Sequence, residues 1–155
     1  MHQIPILQKD MDNHKELDKE YHARIADVYD YITNEPREYP NELLFRPIDQ
    51  LIRPCDLMLD LGCGTGQMIF RYKDLASQVV GVDHSPEMIR EAKRKAREAE
   101  LANITFIEQD LDAFLKLNDT LKADLITCVG VLHHLDFGGG GEFLKSVRRL
   151  LTPRG

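Results

Sequence analysis

The segment with the most evident chemical potential is LMLDLGCGTG, residues 57–66, where an apolar run ends at an acid and continues into three alternating glycines. Such a run predicts a buried strand followed by a turn. The glycines at 62, 64 and 66 carry no Cβ, so the backbone can approach a ligand closely and adopt φ values that other residues resist. The segment therefore favours a binding loop over a spacer.

A second acidic residue follows this loop at the distance typical of nucleoside sites. Asp83 ends the next apolar run, and a carboxylate about 20 residues beyond a glycine loop accepts hydrogen bonds from ribose hydroxyls in dinucleotide-binding folds. The spacing here is G-x-G-x-G, whereas the nicotinamide fingerprint is G-x-G-x-x-G. This difference in spacing argues against a nicotinamide-dependent oxidoreductase, which stays an alternative. The glycine loop and the acid by themselves do not identify the ligand.

Parallel strands are needed to bring these residues together. Beyond Pro54, short apolar runs alternate with segments of helical periodicity, which predicts βαβ units and a parallel sheet. We predict strands at 57–61, 78–83, 104–108 and 124–131, and helices at 67–75, 86–100, 111–117 and 142–151. Ligands bind beyond the carboxyl ends of such strands, so Asp60, Asp83, Asp110 and Cys128 should converge on one rim.

The helix that begins at Pro86 is the best specified by sequence. Ser85 can cap it and Pro86 suits its first position. The basic run from Arg90 to Arg97 lies on the same helix among glutamates, and we interpret it as a solvated helix face rather than a nucleic-acid site. The four glycines at 138–141 predict a flexible loop.

The N-terminal residues also show helical periodicity. Apolar residues recur at helical spacing from Asn13 to Ile32, which predicts one helix with Asn13 near its cap. Residues 33–42 contain two prolines and predict a loop, and a less regular helical stretch that includes Pro47 follows through Ile48 to Ile52. Tyr29 lies within the periodic stretch, where it is either a core residue or, by the family resemblance described below, a residue of a helix that covers the cofactor.

Composition excludes several classes of protein. The 155 residues fit one domain, and a formal charge of −6 with a pI near 5.5 disfavours binding of nucleic acid through the overall field. Three scattered cysteines are too few for a disulfide framework, and no stretch approaches the ~18 apolar residues of a membrane span. We expect a cytoplasmic protein. Adjacent His133 and His134 would point apart on an extended segment, so no metal site is predicted.

The motifs together resemble those of the class I S-adenosylmethionine-dependent methyltransferases. LDLGCGTG resembles the first motif of that family, GVDHSPEMIREAK the second, FIEQDL the third, and ADLITCVGVLHHL with RRLLTPRG the fourth and the region after it. The resemblance extends over residues 24–155. It implies a Rossmann-like, three-layer αβα fold with a mostly parallel sheet, S-adenosylmethionine as cofactor, and methyl transfer to an unidentified acceptor.

The resemblance also implies roles for individual residues. Asp60 would face the amino end of the methionine moiety, which the carbonyl of Cys128 would help to hold, and Asp83 would bind both ribose hydroxyls. His84 and Met88 would flank the adenine, Asp110 would accept from its exocyclic amine, and the amide of Leu111 would meet a ring nitrogen. The implied cofactor-binding set is Asp60, Gly62, Cys63, Gly64, Thr65, Gly66, Asp83, His84, Met88, Asp110, Leu111, Cys128 and Tyr29. No catalytic residue is assigned, because methyl transfer from an activated donor mainly requires positioning and exclusion of water.

The C-terminal region departs from the family pattern. The family usually continues past the L-x-P-x-G segment with a fifth strand, a helix and an antiparallel hairpin, whereas this sequence stops at Gly155. We expect a single domain with an N-terminal helical lid (1–53) and a cofactor-binding core (54–155) that lacks those strands. The fourth strand would then expose an apolar edge prone to self-association. A piece cut from a longer methyltransferase is the favoured explanation; a domain that borrows strands from a partner and a cofactor-binding or scaffold module without turnover are the alternatives.

Overall fold

The computed structural model of the protein describes residues 16–17, 19–30, 41–132 and 139–155. Its strands are β1 (Cys55–Leu61), β2 (Ala76–Asp83), β3 (Ile104–Glu108) and β4 (Leu125–Thr127). Its helices are α1 (Asn41–Asp49), α2 (Gln67–Tyr72), α3 (Pro86–Glu98), α4 (Leu111–Leu117) and α5 (Gly139–Leu150). A 3₁₀ turn, Lys73–Leu75, extends α2.

The sheet has the order β3-β2-β1-β4, and each of its three strand pairs is parallel. Alternate residues of β1 face opposite sides: Met58 packs in one apolar cluster, while Leu59 and Leu61 pack in the other. The first cluster includes residues of α2 and α3, and the second includes residues of α4 and α5. The predicted Rossmann-like α/β fold with a mostly parallel sheet is confirmed.

Helix α3 has the caps that its sequence predicts at the start. Ser85 Oγ accepts a hydrogen bond from the backbone N–H of Met88, and Pro86 occupies the first turn. The helix ends two residues earlier than predicted, at Glu98, because Glu100 adopts a left-handed φ of +53°. The N–H of Leu101 then reaches back to the carbonyl of Ala96 at 3.0 Å, which is the bond pattern of a Schellman end.

The predicted fourth strand is too long. It ends at Thr127 rather than at residue 131, and three residues later Gly130 has a φ of +74°, which is not a strand conformation. Val131 is nevertheless buried, in the cluster with Leu59 and Leu61. An apolar run can therefore continue past the end of a strand when the chain turns and packs on the same core.

The predicted start of the helix after the four glycines and the predicted bounds of the helix that contains Pro47 were also wrong. Helix α5 begins at Gly139, so Gly139, Gly140 and Gly141 are helical rather than loop, while residue 138 lies outside the described residues. The apolar face formed by Phe143 and Leu150 is buried, and this packing outweighs the low helix propensity of glycine. Helix α1 begins at Asn41, inside the predicted loop, and ends at Asp49 rather than at Ile52, with Pro47 within it.

The N-terminal helix is described only in part. Residues 19–25 are helical, residues 26–28 form a turn, and residues 29–30 are again helical, so the predicted single helix is interrupted. We call residues 19–30 the N-terminal segment. Asn13, Tyr31, Ile32, His133 and His134 lie outside the described residues. In the described ranges, none of the helices combines the length and the apolar character needed to cross a membrane.

Candidate functional site

The candidate site lies where β1, β2 and β4 end on the same rim of the sheet. In the pairing register, Asp60 of β1 stands beside Gly81 of β2 on one side and Thr127 of β4 on the other. The loop that follows β1, residues 62–66, crosses this rim, and we call it the glycine loop. The N–H groups of Gly62 and Cys63 both donate to the carbonyl of Val82, at 2.8 and 3.0 Å, which fixes the start of the loop against β2.

The three glycines of the loop all have positive φ, but their surroundings differ. A Cβ on Gly62 would lie 2.2 Å from Cγ2 of Val131, and a Cβ on Gly66 would lie 2.9 Å from the ring of Phe70. A Cβ on Gly64 would meet no atom within 4 Å. Gly62 and Gly66 therefore admit neighbouring protein side chains, and only Gly64 borders open space. The prediction that the backbone of all three makes room for a cofactor stays a prediction, and Gly64 is the one of the three with free space beside it.

Asp83 connects the end of β2 to the glycine loop. Its Oδ2 accepts a hydrogen bond from the backbone N–H of Gly64 at 2.9 Å, and its Oδ1 accepts one from Ser85 at 2.8 Å. The side chain is mostly buried. Because an ionised carboxylate offers about four acceptor positions, two remain for other donors. The hydrogen bonds from these two backbone N–H groups hold the carboxylate in one orientation beside Gly64.

Asp60 is a buried acid with one unused oxygen. Its exposure is 1%, and its Oδ1 accepts a hydrogen bond of 2.7 Å from the hydroxyl of Thr127. Its Oδ2 is buried and has no hydrogen-bond partner among the described residues. Burial raises the pKa of Asp60 to about 7, the Thr127 hydrogen bond opposes that rise, and the nearby charge of Asp83 adds to it. A cationic donor at Oδ2 would satisfy the oxygen and restore the charged form.

The remaining candidates of the adenine end lie around the starts of α3 and α4. Asp110 is exposed and caps α4, accepting a hydrogen bond from the N–H of Ala113 at 3.1 Å. His84 is partly exposed, with Nδ1 3.8 Å from Oδ1 of Asp83, and Met88 is buried. The capping hydrogen bond explains the position of the Asp110 side chain without any ligand. The adenine-binding roles of Asp110, Leu111, His84 and Met88 stay predictions.

Both thiols of the rim have a pKa above the ordinary value for cysteine. Cys63 is buried in the cluster with Met58, and burial raises the pKa of its thiol well above the ordinary value, as do the charges of Asp60 and Asp83. Burial also raises the pKa of Cys128 to about 11, with a further contribution from Asp60. These environments agree with the interpretation of both cysteines as inert. The proposed role of the Cys128 carbonyl stays a prediction.

Sequence analysis missed a polar cluster beneath the loop. The hydroxyl of Thr65 donates to Oδ1 of Asp30 at 2.5 Å, and Nε2 of Gln67 donates to the same oxygen at 3.2 Å. Nζ of Lys95 donates to Oδ2 of Asp30 and, at 2.9 Å, to the carbonyl of Thr65. Burial opposes ionisation of Asp30, yet the hydrogen bonds from Lys95 and Thr65 outweigh it and hold the pKa of Asp30 below its usual range.

Lys95 corrects the interpretation of the basic run on α3. Arg94 does lie on a solvated face, where it pairs with Glu91 and Glu98. Lys95 instead turns towards the glycine loop and keeps 20% of its side chain exposed. The signal in the sequence was the position of Lys95, beside the buried Ala92 and Ala96 on the helix. Asp30 carried no such signal, although it adjoins the lid candidate Tyr29, which is half-buried with its ring 6.0 Å from that of His22.

Comparison with known proteins identifies the family. A family model described as a methyltransferase domain matches residues 58–155, which include the rim and the glycine loop. The chain belongs to the methyltransferase domain family. Among curated relatives of this domain, the ubiquinone biosynthesis O-methyltransferase of Coxiella burnetii is 30% identical over 145 residues, covering 90% of this chain and 60% of that protein.

Solved structures of methyltransferases share the fold. The DhpI–SAM–HEP complex has a TM-score of 0.68 at 28% identity and covers 90% of this chain and 62% of that chain. A methyltransferase from Geobacter sulfurreducens in complex with S-adenosyl-L-homocysteine has a TM-score of 0.59 at 27% identity, with coverages of 83% and 52%. The methyltransferase domain described here thus spans at most 62% of these relatives.

Proposed function

We propose that the protein binds S-adenosylmethionine at the rim formed by Asp60, Gly64 and Asp83 and serves methyl transfer to an acceptor. The observation that carries this proposal is the buried Oδ2 of Asp60, which has no hydrogen-bond partner among the described residues. Gly64, four residues further along the chain, borders open space. A ligand that carries an ammonium and a ribose has the groups that this rim lacks. Membership of the methyltransferase family and similarity to complexes with this cofactor or with S-adenosyl-L-homocysteine support the same conclusion.

Each of these residues has a distinct task in the proposed site. Asp60 accepts a hydrogen bond from the ammonium of the methionine moiety, and Asp83, already oriented by Gly64 and Ser85, accepts from the ribose hydroxyls. Gly64 leaves the space that a side chain would fill. When bound, the cofactor supplies a methyl group activated by its sulfonium. The protein then has to hold the acceptor in line with that group and exclude water, so we assign no general base.

The acceptor is not part of this proposal. The Coxiella relative is named as an O-methyltransferase of ubiquinone biosynthesis, but the chain covers 60% of it. The division into a lid (1–53) and a core (54–155), the lid role of Tyr29, the cytoplasmic location and self-association through β4 all stay predictions. Strand β4 does stand at the edge of the described sheet.

Calorimetry with S-adenosylhomocysteine tests the proposal on the donor side. The parent chain should bind, and Asp83→Ala should weaken binding roughly tenfold to a hundredfold, because a hydrogen bond to a charged group contributes about 1.5–3 kcal/mol. Asp119→Ala, which removes an exposed acid outside the rim, is the matched control and should bind like the parent. Asp83→Asn keeps one acceptor oxygen, so its affinity should lie between that of the parent and that of Asp83→Ala.

Three outcomes separate this proposal from its alternatives. Absence of binding by the parent would remove its basis. Displacement of S-adenosylhomocysteine by equimolar NADH would favour a nicotinamide enzyme instead. Binding of S-adenosylmethionine without methyl transfer to any acceptor tried would favour a cofactor-binding module without turnover.

A further inference from the structure

Thr65 is held by a side chain from the N-terminal segment and another from α3. Its hydroxyl donates to Asp30 of the segment, and its carbonyl accepts from Nζ of Lys95 of α3 at 2.9 Å. Lys95 also contacts Asp30 directly, so the three residues form a closed triangle of polar contacts. Thr65 itself is 1% exposed. These residues are 30 to 65 positions apart in sequence, and the contacts therefore depend on the tertiary fold.

The position of Thr65 makes this triangle relevant to the cofactor site. It lies between Gly64 and Gly66, which both have positive φ and no side chain to restrict the backbone. Contacts at Thr65 are therefore one of the side-chain restraints on this part of the glycine loop, together with the hydrogen bond between Asp83 and Gly64. The adjoining Gly64 donates its N–H to Asp83, so a loop held at Thr65 also holds the carboxylate proposed to bind ribose.

The charged groups of the triangle are partly withdrawn from water. Lys95 Nζ lies 4.7 Å from the centre of the Phe70 ring, whose edge occupies the space left by the missing Cβ of Gly66. Glu91 also faces this pair, and its pKa is lowered mainly by Arg94 and to a smaller extent by Lys95. Shielded contacts of this kind are stronger than exposed ion pairs, which contribute little. Removing the side chain of one of these three residues should therefore weaken the contacts between the other two.

We propose that Lys95 and Asp30 are positioning residues that couple the N-terminal segment to occupancy of the cofactor site through Thr65. This inference rests on the proposed function and adds a coupling that the site residues alone do not contain. Ordering of the glycine loop by a ligand strengthens the contact with the N-terminal segment, and the segment in turn favours the ligand-bound loop. Coupling of this type is reciprocal between the two sites.

Binding measurements on five variants test the coupling. Lys95→Met and Asp30→Asn should each weaken S-adenosylhomocysteine binding about tenfold, within the ~5–150-fold typical of coupled sites. The matched control is Lys93→Met, which removes an exposed lysine of the same helix and should leave affinity unchanged. Lys95→Arg keeps the charge and the donors and should restore most of the affinity. The double variant should be little weaker than either single variant.

Hydrogen exchange distinguishes coupling from a purely structural ion pair, because such a pair would not alter how the ligand changes exchange in residues 19–30. In the parent, S-adenosylhomocysteine should slow exchange in both the glycine loop and residues 19–30; in Lys95→Met, the slowing should persist in the loop and disappear in residues 19–30. Slow exchange in β1 and β2 reports that each variant is folded. Equal affinity of Lys95→Met and Lys93→Met, or unchanged slowing in residues 19–30, would overturn the coupling while the parent still binds. A parent that does not bind overturns the proposed function, which is a separate result.

Discussion

The hydroxyl of Thr127 donates a 2.7 Å hydrogen bond to Oδ1 of Asp60, joining the ends of two neighbouring strands inside the protein. This bond satisfies one carboxylate oxygen and leaves Oδ2 buried without a partner among the described residues. A carboxylate in that state is costly to ionise, because desolvation is the largest influence on its pKa. Asp60 is therefore a residue whose charge should depend on whether a ligand is bound.

Stability should fall between about pH 4 and pH 7 because of Asp60. Its pKa is raised from 3.8 to about 7 on folding, so over this window the unfolded chain has already released the proton that the folded chain keeps. The free energy of unfolding then decreases as pH rises, by on the order of 4 kcal/mol at the top of the window, since a tenfold change in proton affinity is about 1.4 kcal/mol. Urea unfolding of the parent and Asp60→Asn from pH 5 to pH 8 measures this. Parallel curves for the two proteins would contradict it.

Affinity for S-adenosylhomocysteine should change with pH in the opposite sense. As pH rises from 6 to 8, Asp60 becomes ionised while the ligand ammonium stays charged, and their attraction grows. We expect the affinity of the parent to rise several-fold over this range and that of Asp60→Asn to stay nearly constant. Calorimetry at four pH values decides this, and a flat profile for the parent would place the ammonium elsewhere.

Two glycine substitutions should separate folding from binding. Gly62→Ala places a Cβ 2.2 Å from Val131 at a positive φ and should destabilise the protein by roughly 2–5 kcal/mol. Gly64→Ala meets no protein atom, so it should cost only the ~1–2 kcal/mol of its left-handed backbone while weakening S-adenosylhomocysteine binding. Thermal unfolding and calorimetry on both variants give the comparison. Full binding by Gly64→Ala would show that its open space is not used by the ligand.

The three cysteines should react slowly with iodoacetamide. Burial is the main cause that raises the pKa of Cys55, Cys63 and Cys128, so little thiolate is present at pH 8. We expect modification slower than that of glutathione, with buried Cys63 the last to react and rapid reaction of all three in urea. Timed mass spectrometry measures the order. Faster modification of Cys63 or Cys128 than of glutathione would reopen a chemical role for that thiol.

Local patterns in the sequence were sufficient to locate all four strands and to set several helix boundaries. Strand β3 and helix α4 have the predicted bounds, and α3 starts at the predicted cap, because apolar alternation and capping residues act over a few positions. The end of α3 differs because the left-handed residue Glu100 turns the chain there. Strand β4 ends at Thr127 although the apolar run continues through Val129, which is 44% exposed. Nothing in that run distinguishes the strand residues from those that follow the strand.

The sequence by itself determined the family, the order of the strands along the chain and the acids and glycines at the strand ends, because these depend on residue type and short spacing. Only the tertiary structure decided the surroundings of these residues. Of the three loop glycines only Gly64 borders open space, Asp60 meets Thr127 across 67 residues, and Lys95 leaves the solvated helix face to hold Thr65. Burial and long-range pairing set these properties, since both arise only when distant segments pack together.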